Sequence, residues 1–219
     1  MDQFQRAWKL IQPQLVPFCI YGFVGILLSG CTFHIPMLNV IRELKTALDE
    51  GRVPDVKKAF NFDKIKDDFP MWGTLFGVQL AITLILMMIM TPFMIVSVLL
   101  GGGYEILMVL ISMGAFFVIV LMSLLGTTLM FWAPWIYLNE QITPVNAIKA
   151  SFFYGKTTII PVFIHLLIIQ FSTTIGAFFC YLPAFLALTI GLVASVYLYE
   201  SHRTGVQKVL AEHQLLTSG

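Results

Sequence analysis

The chain has 219 residues, of which 58% are hydrophobic and 11% are charged, whereas soluble domains carry roughly 25% charged residues. A water-soluble fold of this size cannot hide so much apolar surface. Thirteen Lys and Arg residues stand against twelve Asp and Glu residues, for a net charge of +1. This balance excludes the basic surplus that is typical of nucleic-acid-binding proteins.

Four long stretches without Asp, Glu, Lys or Arg predict membrane-spanning helices, since a helix needs roughly 20 residues to cross about 30 Å of hydrocarbon. The last stretch, from Thr157 to Tyr199, is long enough for two spans, and Pro183 disfavours one continuous helix there. We therefore predict an all-α, polytopic transmembrane helical bundle that forms a single integral membrane domain over residues 1–219. Its spans, about five in number, are expected at residues 16–35, 72–100, 106–131, 157–179 and 183–199.

Residues 37–68 form a polar section between the first two spans. Apolar residues recur at helical spacing from Met37 to Leu48 with charged residues on the other face, which predicts an amphipathic helix over 37–50 that lies along the membrane surface. Gly51 is a stop signal for this helix. The remainder, 52–68, is densely charged, and its acidic group Asp63, Asp67 and Asp68 is interleaved with lysines, so a solvated face is expected there rather than a metal site.

Two local patterns follow the third span. Trp132, Trp135 and Tyr137 are expected to form an aromatic belt at the membrane interface. Thr143 and Pro144 predict an N-cap followed by Pro at the first position of a short helix. The fourth and fifth spans come next, and a polar tail, 200–219, closes the chain. Val206, Val209 and Leu210 predict that this tail continues as a short amphipathic helix.

The distribution of basic residues predicts the orientation. With five spans, the loops at 42–68 and 140–156 and the tail at 200–219 share one side and hold eleven of the thirteen basic residues. Because cytoplasmic loops are enriched in Lys and Arg, we expect a multi-pass protein with the N-terminus outside and the C-terminus in the cytoplasm.

One alternative interpretation concerns the sequence LLSGC at 27–31, which is similar to a bacterial lipobox. Cleavage before Cys31 would make it a lipid-modified N-terminus and remove the first span. The charged section would then face outward, against the bias of the basic residues. The other interpretation is that these small residues allow helices to pack.

Two histidines lie inside apolar stretches at the same expected depth. His34 and His165 each fall eight residues from the inner boundary, about 12 Å at 1.5 Å per residue. Equal depth is what a shared haem or metal site would need, but each histidine can instead bond to a neighbouring hydroxyl or carbonyl group. We therefore expect no cofactor and no metal.

Two further sets of residues inside the spans have alternative roles. A polar patch in the fourth span is a candidate cavity for a lipid headgroup or solute, or a set of hydrogen bonds between helices; it consists of Gln170, Ser172, Thr173 and Thr174. Small residues at four-residue spacing predict close helix packing; they are Gly73, Gly77, Ala187, Gly191 and Ser195.

The segment TPVNAIKASF at 143–152, a short helix leading into a span, resembles a loose group of uncharacterised bacterial multi-spanning membrane proteins. That group is similar to the membrane domain of some glycerophosphoryl diester phosphodiesterases. The resemblance implies a helical protein of the bacterial cytoplasmic (inner) membrane and carries over no catalytic residue.

The chain has no GxSxG, HExxH, P-loop or GxGxxG motif. The leading hypothesis is a non-enzymatic binding or assembly component in lipid or envelope handling. Its expected partners are the lipid bilayer and a protein that docks on 37–68. The alternatives are a passive or partner-driven transporter or channel subunit, and a membrane enzyme acting on lipids.

Overall fold

The computed structural model describes residues 2–31, 37–59, 61–99, 105–178 and 182–215, and this part of the chain is helical apart from short turns. The all-α prediction is confirmed for these residues. A 3-10 turn, Gln12–Gln14, joins the first two helices. The helices are α1 Asp2–Ile11, α2 Leu15–Cys31, α3 Met37–Asp49, α4 Val56–Ala59, α5 Phe62–Leu99, α6 Glu105–Met130, α7 Ala133–Glu140, α8 Pro144–Thr157, α9 Ile159–Phe178 and α10 Leu182–Glu212.

Four of the described segments are long and apolar enough to cross a membrane. They are Lys66–Met88, Leu121–Glu140, Ile159–Phe178 and Pro183–Glu212. The first predicted span, 16–35, corresponds to α2, which has 17 residues and measures about 26 Å at 1.5 Å per residue. Its predicted last residues, 32–35, lie outside the described part of the chain.

Two helices extend beyond the predicted spans. Helix α5 begins at Phe62 rather than near Trp72, so the charged residues up to Asp68 belong to its first two turns. Helix α10 continues past Tyr199 to Glu212, in agreement with the helix predicted in the tail. With 31 residues it is about 46 Å long, which exceeds the roughly 30 Å of hydrocarbon in a bilayer.

The local start and stop signals are confirmed. Gly51 has φ +66° and follows α3 in a Schellman arrangement: its N–H donates to the Leu48 carbonyl (3.2 Å), and the Arg52 N–H donates to the Ala47 carbonyl (2.9 Å). The Thr143 side chain accepts a hydrogen bond from the Asn146 N–H at the start of α8. Each signal fixes where one short helix meets its neighbour.

Helix α2 runs antiparallel to α10. The Thr189 hydroxyl oxygen lies 3.2 Å from the Phe18 carbonyl oxygen, and the Phe23 ring lies 4.9 Å from the Phe185 ring. Between them, a Cβ on Gly22 would lie 1.9 Å from Thr189 Oγ1, so only glycine allows this approach. Since residue numbers rise along α2 while those of the contacted residues fall, α2 points toward the N-terminal end of α10.

The polar segments meet at one end of the bundle, which we call the charged end; it comprises α3, the start of α5, α7, the start of α8 and the end of α10. Arg42 pairs with Asp68, and Arg203 pairs with Glu140. The Asn146 side chain donates to the Leu215 carbonyl at 3.1 Å. These contacts bring segments that are far apart in sequence into one layer.

Protein covers the apolar face of α3. Leu44 and Ala47 are fully buried and Leu38 is 4% exposed, because α3 packs against α2, α5, α7 and α10. The Tyr21 hydroxyl on α2 also donates to the Val40 carbonyl at 2.6 Å. This environment differs from the predicted one, in which the membrane surface would cover that face.

The predicted aromatic belt is wrong for both tryptophans. Trp132 is fully buried and Trp135 is 3% exposed. The indole N–H of Trp132 donates to Thr158 Oγ1 at 2.9 Å, and the Trp135 ring stacks near the Tyr199 ring. The two side chains fill the space between α7, α8 and α10, where a large ring buries more apolar area than it could at a headgroup boundary.

Candidate binding cleft at the charged end

An ion pair between α3 and α5 lies at the centre of the charged end. Arg42 Nη2 is 2.7 Å from Asp68 Oδ1, and the side chains are 30% and 4% exposed. A charged hydrogen bond of this length is among the stronger polar contacts in proteins. The predicted solvated face is therefore wrong for Asp68. The prediction of a solvated face fits Asp67, which is exposed. The Asp63 side chain lies outside the described residues.

A buried amide orients the guanidinium of this pair. Arg42 Nη1 donates to Asn39 Oδ1 at 2.7 Å, and Asn39 Nδ2 donates to the Asn61 carbonyl at 3.0 Å. Asn39 is 3% exposed, so it has few other positions to adopt. The chain of contacts from Asn61 to Asp68 ties the segment before α5 to α3 and fixes the direction of the Arg42 side chain.

A cleft of about 320 Å³ opens beside the ion pair. The Tyr137 hydroxyl at its wall donates to the Asp67 carbonyl at 3.3 Å, and Gln141 ends α7 with φ +50°. Its volume lies at the small end of the range for ligand sites. The residues that line it are Arg42, Asp67, Asp68, Tyr137, Leu138, Gln141 and Ile142.

The Asp68 carboxylate has one oxygen without a partner. Oδ1 pairs with Arg42, while the buried Oδ2 has no hydrogen-bond partner among the described residues. Leaving a buried acceptor unsatisfied costs about 1–3 kcal/mol, and more for a charged group. The cleft lining contains two carboxylates and one guanidinium, so its formal charge is negative.

A second polar cluster holds α7, which supplies one wall of the cleft, against α10. Glu140 at the end of α7 accepts hydrogen bonds from Tyr199 (3.1 Å), Arg203 (3.0 Å) and Gln207 (3.3 Å). Its side chain is 10% exposed. On the other side, Lys45 on α3 donates to Asn139 on α7. Contacts on both sides thus set the position of α7 relative to α3 and α10.

A third cluster braces the chain after α3. Arg52 Nη1 lies 2.6 Å from Glu43 Oε1, which also accepts from the Asp55 N–H at 2.8 Å. The hydrogen bonds from Arg52 to Glu43, first, and to Glu50, second, raise the pKa of the Arg52 guanidinium above its usual range. The Glu43 carboxylate therefore holds the turn between α3 and α4 in place through Arg52 and Asp55.

His165 contacts a serine rather than another histidine in the described part of the chain. Its Nε2 lies 2.8 Å from Ser195 Oγ, and Ser195 Oγ donates to the Gly191 carbonyl at 2.8 Å. A hydroxyl has one proton, so when it goes to Gly191, Nε2 must be the donor to Ser195. This is the reverse of the arrangement in which histidine activates a serine nucleophile. His34, the other member of the predicted pair, lies outside the described residues.

The predicted polar patch on α9 faces several directions. Gln170, Ser172 and Thr174 are exposed, and Thr173 is half-buried. The hydroxyls of Thr173 and Thr174 donate to the carbonyls of Ile169 (2.7 Å) and Gln170 (2.8 Å) on the same helix. A polar cavity formed by these residues stays a prediction without support from these contacts.

Small residues differ in how closely other helices approach them. A Cβ on Gly191 would lie 2.7 Å from an Ile169 side-chain carbon, and one on Gly176 would lie 2.5 Å from the Ala184 amide nitrogen. A Cβ on Gly73 or Gly77 would meet nothing within 4 Å. Close packing therefore occurs between α9 and α10, where Ser195 is buried and Ala187 half-buried.

The described residues contain no group of three or more His, Cys, Asp or Glu side chains that could hold a metal ion. Cys19 is half-buried in α2, where burial of a thiol is common. The side chains of Cys31 and Cys180 lie outside the described residues, so the lipobox interpretation stays a hypothesis. The polar groups that line the cleft are carboxylates, a hydroxyl, an amide and a guanidinium.

The sequence contained little signal for this cleft. Arg42 and Asp68 are 26 positions apart, and 94 positions separate Lys45 from Asn139. The aromatic pattern predicts Tyr137 at the membrane interface, and no sequence pattern indicates a role for Gln141. The one usable signal was that the charged section must balance its charges internally. Comparison of the chain with protein families, with curated proteins and with solved structures finds no match.

Proposed function

We propose that this chain is a non-enzymatic, multi-pass protein of a bacterial cytoplasmic membrane that binds a polar ligand or partner group at its charged end, in lipid or envelope handling. The observation that carries this proposal is the cleft beside Arg42 and Asp68. It joins a buried ion pair to an open volume of about 320 Å³. Its placement among the polar segments, next to the start of α5, suits a ligand at the membrane boundary.

The same proposal includes an arrangement of four spans in which both termini are cytoplasmic. Two contacts support it: α2 runs antiparallel to α10, and Tyr21 on α2 is bonded to Val40, close to the Arg42–Asp68 pair. Helix α2 points away from the charged end, whereas α3, the next described helix, lies in it. In this arrangement the elements before and after α2 are therefore on the same side of the membrane.

Charge supports this arrangement over the five-span one. With four spans, Arg6 and Lys9 join the other eleven basic residues on one side, so the cytoplasmic bias of Lys and Arg is complete. In the five-span arrangement these two residues lie outside. Helix α1, which carries them, buries Ala7 and Ile11 fully and packs against α10.

Reporter fusions test the arrangement. With alkaline phosphatase, which is active outside, and a fluorescent protein, which is fluorescent inside, fused to each end, four spans predict cytoplasmic signals at both termini. A fusion after residue 103 serves as the control because it is external in either arrangement. An active phosphatase at the N-terminus together with a fluorescent C-terminus would restore five spans.

Recovery of bound molecules tests the binding role. Protein purified in mild detergent should retain a ligand or partner that Arg42→Met reduces and that the exposed Asp49→Asn leaves unchanged. Mass spectrometry of the purified sample identifies what is retained. Equal retention by the Arg42→Met variant and by the unaltered protein would count against the cleft as the binding site.

A membrane enzyme acting on lipids is a second candidate, because His165 contacts Ser195 at 2.8 Å. If these residues formed a nucleophile and base, Ser195→Ala would abolish lipid hydrolysis by the purified protein. The hydrogen bond from Ser195 to Gly191 favours a packing role instead. We expect Ser195→Ala to leave the lipid composition of reconstituted vesicles unchanged.

A further inference from the structure

We infer that the cleft between α3, α5 and α7 binds an ammonium group, such as the one at the end of an aminophospholipid headgroup. The inference rests on the proposed binding function and adds the chemical class of the ligand. It starts from the Asp68 carboxylate, which is 3% exposed and lines the cleft. Its Oδ2 atom is buried and without a hydrogen-bond partner among the described residues.

The other groups at the cleft match the donors of an ammonium. A primary ammonium presents three N–H donors and no acceptor. Asp67 contributes an exposed carboxylate, the Tyr137 oxygen keeps its lone pairs while its proton goes to the Asp67 carbonyl, and Gln141 carries an amide oxygen. The lining thus provides acceptors of the kind that a cationic donor requires.

The position of Arg42 argues against a simple anion at this place. Two of its N–H groups are already bonded, one on Nη2 to Asp68 and one on Nη1 to Asn39. With two carboxylates against this one cation, an incoming anion would meet net negative charge. The remaining N–H groups of Arg42, whose side chain is 30% exposed, suit the phosphate that follows an ethanolamine group in a headgroup.

The size and place of the cleft favour a lipid as the source of the ammonium. Its volume of about 320 Å³ fits a headgroup rather than a whole lipid. The candidate membrane span within α5 begins at Lys66, and Asp68 lies two residues after it. A headgroup at this depth could enter the cleft while its acyl chains remain beside the helices.

The test measures binding of phosphatidylethanolamine to the full-length protein in detergent, titrated by native mass spectrometry, with phosphatidylglycerol and free ethanolamine as the other probes. Asp68→Asn removes the charged acceptor for the ammonium group and should weaken phosphatidylethanolamine binding about tenfold or more, since hydrogen bonds to charged groups are stronger than those between neutral groups. Asp67→Asn, at an exposed position without a packing role, should weaken it several-fold. Asp49→Asn, which removes the same charge from the exposed end of α3, is the matched control and should leave binding unchanged.

Each outcome separates the alternatives. Binding of free ethanolamine with the same dependence on Asp67 and Asp68, but no preference for the lipid, would keep the ammonium and make its source a soluble amine. Equal binding of phosphatidylglycerol and phosphatidylethanolamine, unaffected by Asp67→Asn, would overturn the inference and leave the proposed binding function standing. Retention of no ligand by the unaltered protein would overturn both.

Discussion

Replacing Arg42 by Ala should destabilise the protein by about 3 kcal/mol. The substitution leaves the Asp68 carboxylate, with 4% of its side chain exposed, without its cation, and it also removes the donor to Asn39. Breaking a buried ion pair by removing one partner costs about 3–5 kcal/mol. We take the lower end because 30% of the Arg42 side chain is exposed and water screens part of the interaction.

The free energy of unfolding, measured by titration with sodium dodecyl sulfate and followed by circular dichroism, gives this magnitude directly. Lys208→Ala is the control because its side chain is 76% exposed in an i,i+4 pair with Glu212, which should contribute no more than about 0.5 kcal/mol. The double variant Arg42→Ala with Asp68→Ala should recover part of the loss, since it removes the unpaired charge. An Arg42→Ala variant as stable as the Lys208→Ala control would refute the reasoning.

Three further substitutions test contacts between helices. Gly176→Ala should destabilise the protein by about 1–3 kcal/mol, as in other overpacked cores, because its Cβ would lie 2.5 Å from the Ala184 amide nitrogen. Gly73→Ala, with open space around it, should be neutral or stabilising by up to about 1 kcal/mol. The same unfolding titration measures whether each substitution lowers or raises the free energy of unfolding. Glu140→Ala should cost about 1–3 kcal/mol, because it leaves three donors on α10 without their acceptor, and an unchanged unfolding free energy would mean that this cluster does not hold α7.

The apolar spans could be predicted from sequence because their signal is local. A stretch of 20 uncharged residues has to form its hydrogen bonds within a helix if lipid surrounds it, whatever its neighbours are. The second to fifth predicted spans accordingly overlap described helices. Boundaries were less predictable where a helix continues into charged residues. Helix α5 begins at Phe62, in the charged section before the apolar stretch.

The cleft could not be predicted in the same way because its residues come from three helices. Asp67 and Asp68 are adjacent and chemically identical, yet one is exposed and the other 3% exposed. The difference arises because neighbouring positions on a helix face directions about 100° apart, and only the position of Asp68 faces α3. Which acid is buried therefore depends on the packing angle of two helices, α3 and α5, between which the chain also forms the short helix α4.

The charge balance of the section 42–68, with seven basic and seven acidic residues, acquires a physical reason from these contacts. Arg42 is neutralised by Asp68 and Arg52 by Glu43, so helices can gather at the charged end without burying unpaired charge, which would cost several kcal/mol per ion. A carboxylate has two oxygens, however, and one guanidinium engages only Oδ1 of Asp68. Asp68 also lines the cleft, and the proposed selection of a cationic ligand rests on this coincidence of open volume with an unsatisfied acceptor on a negative group.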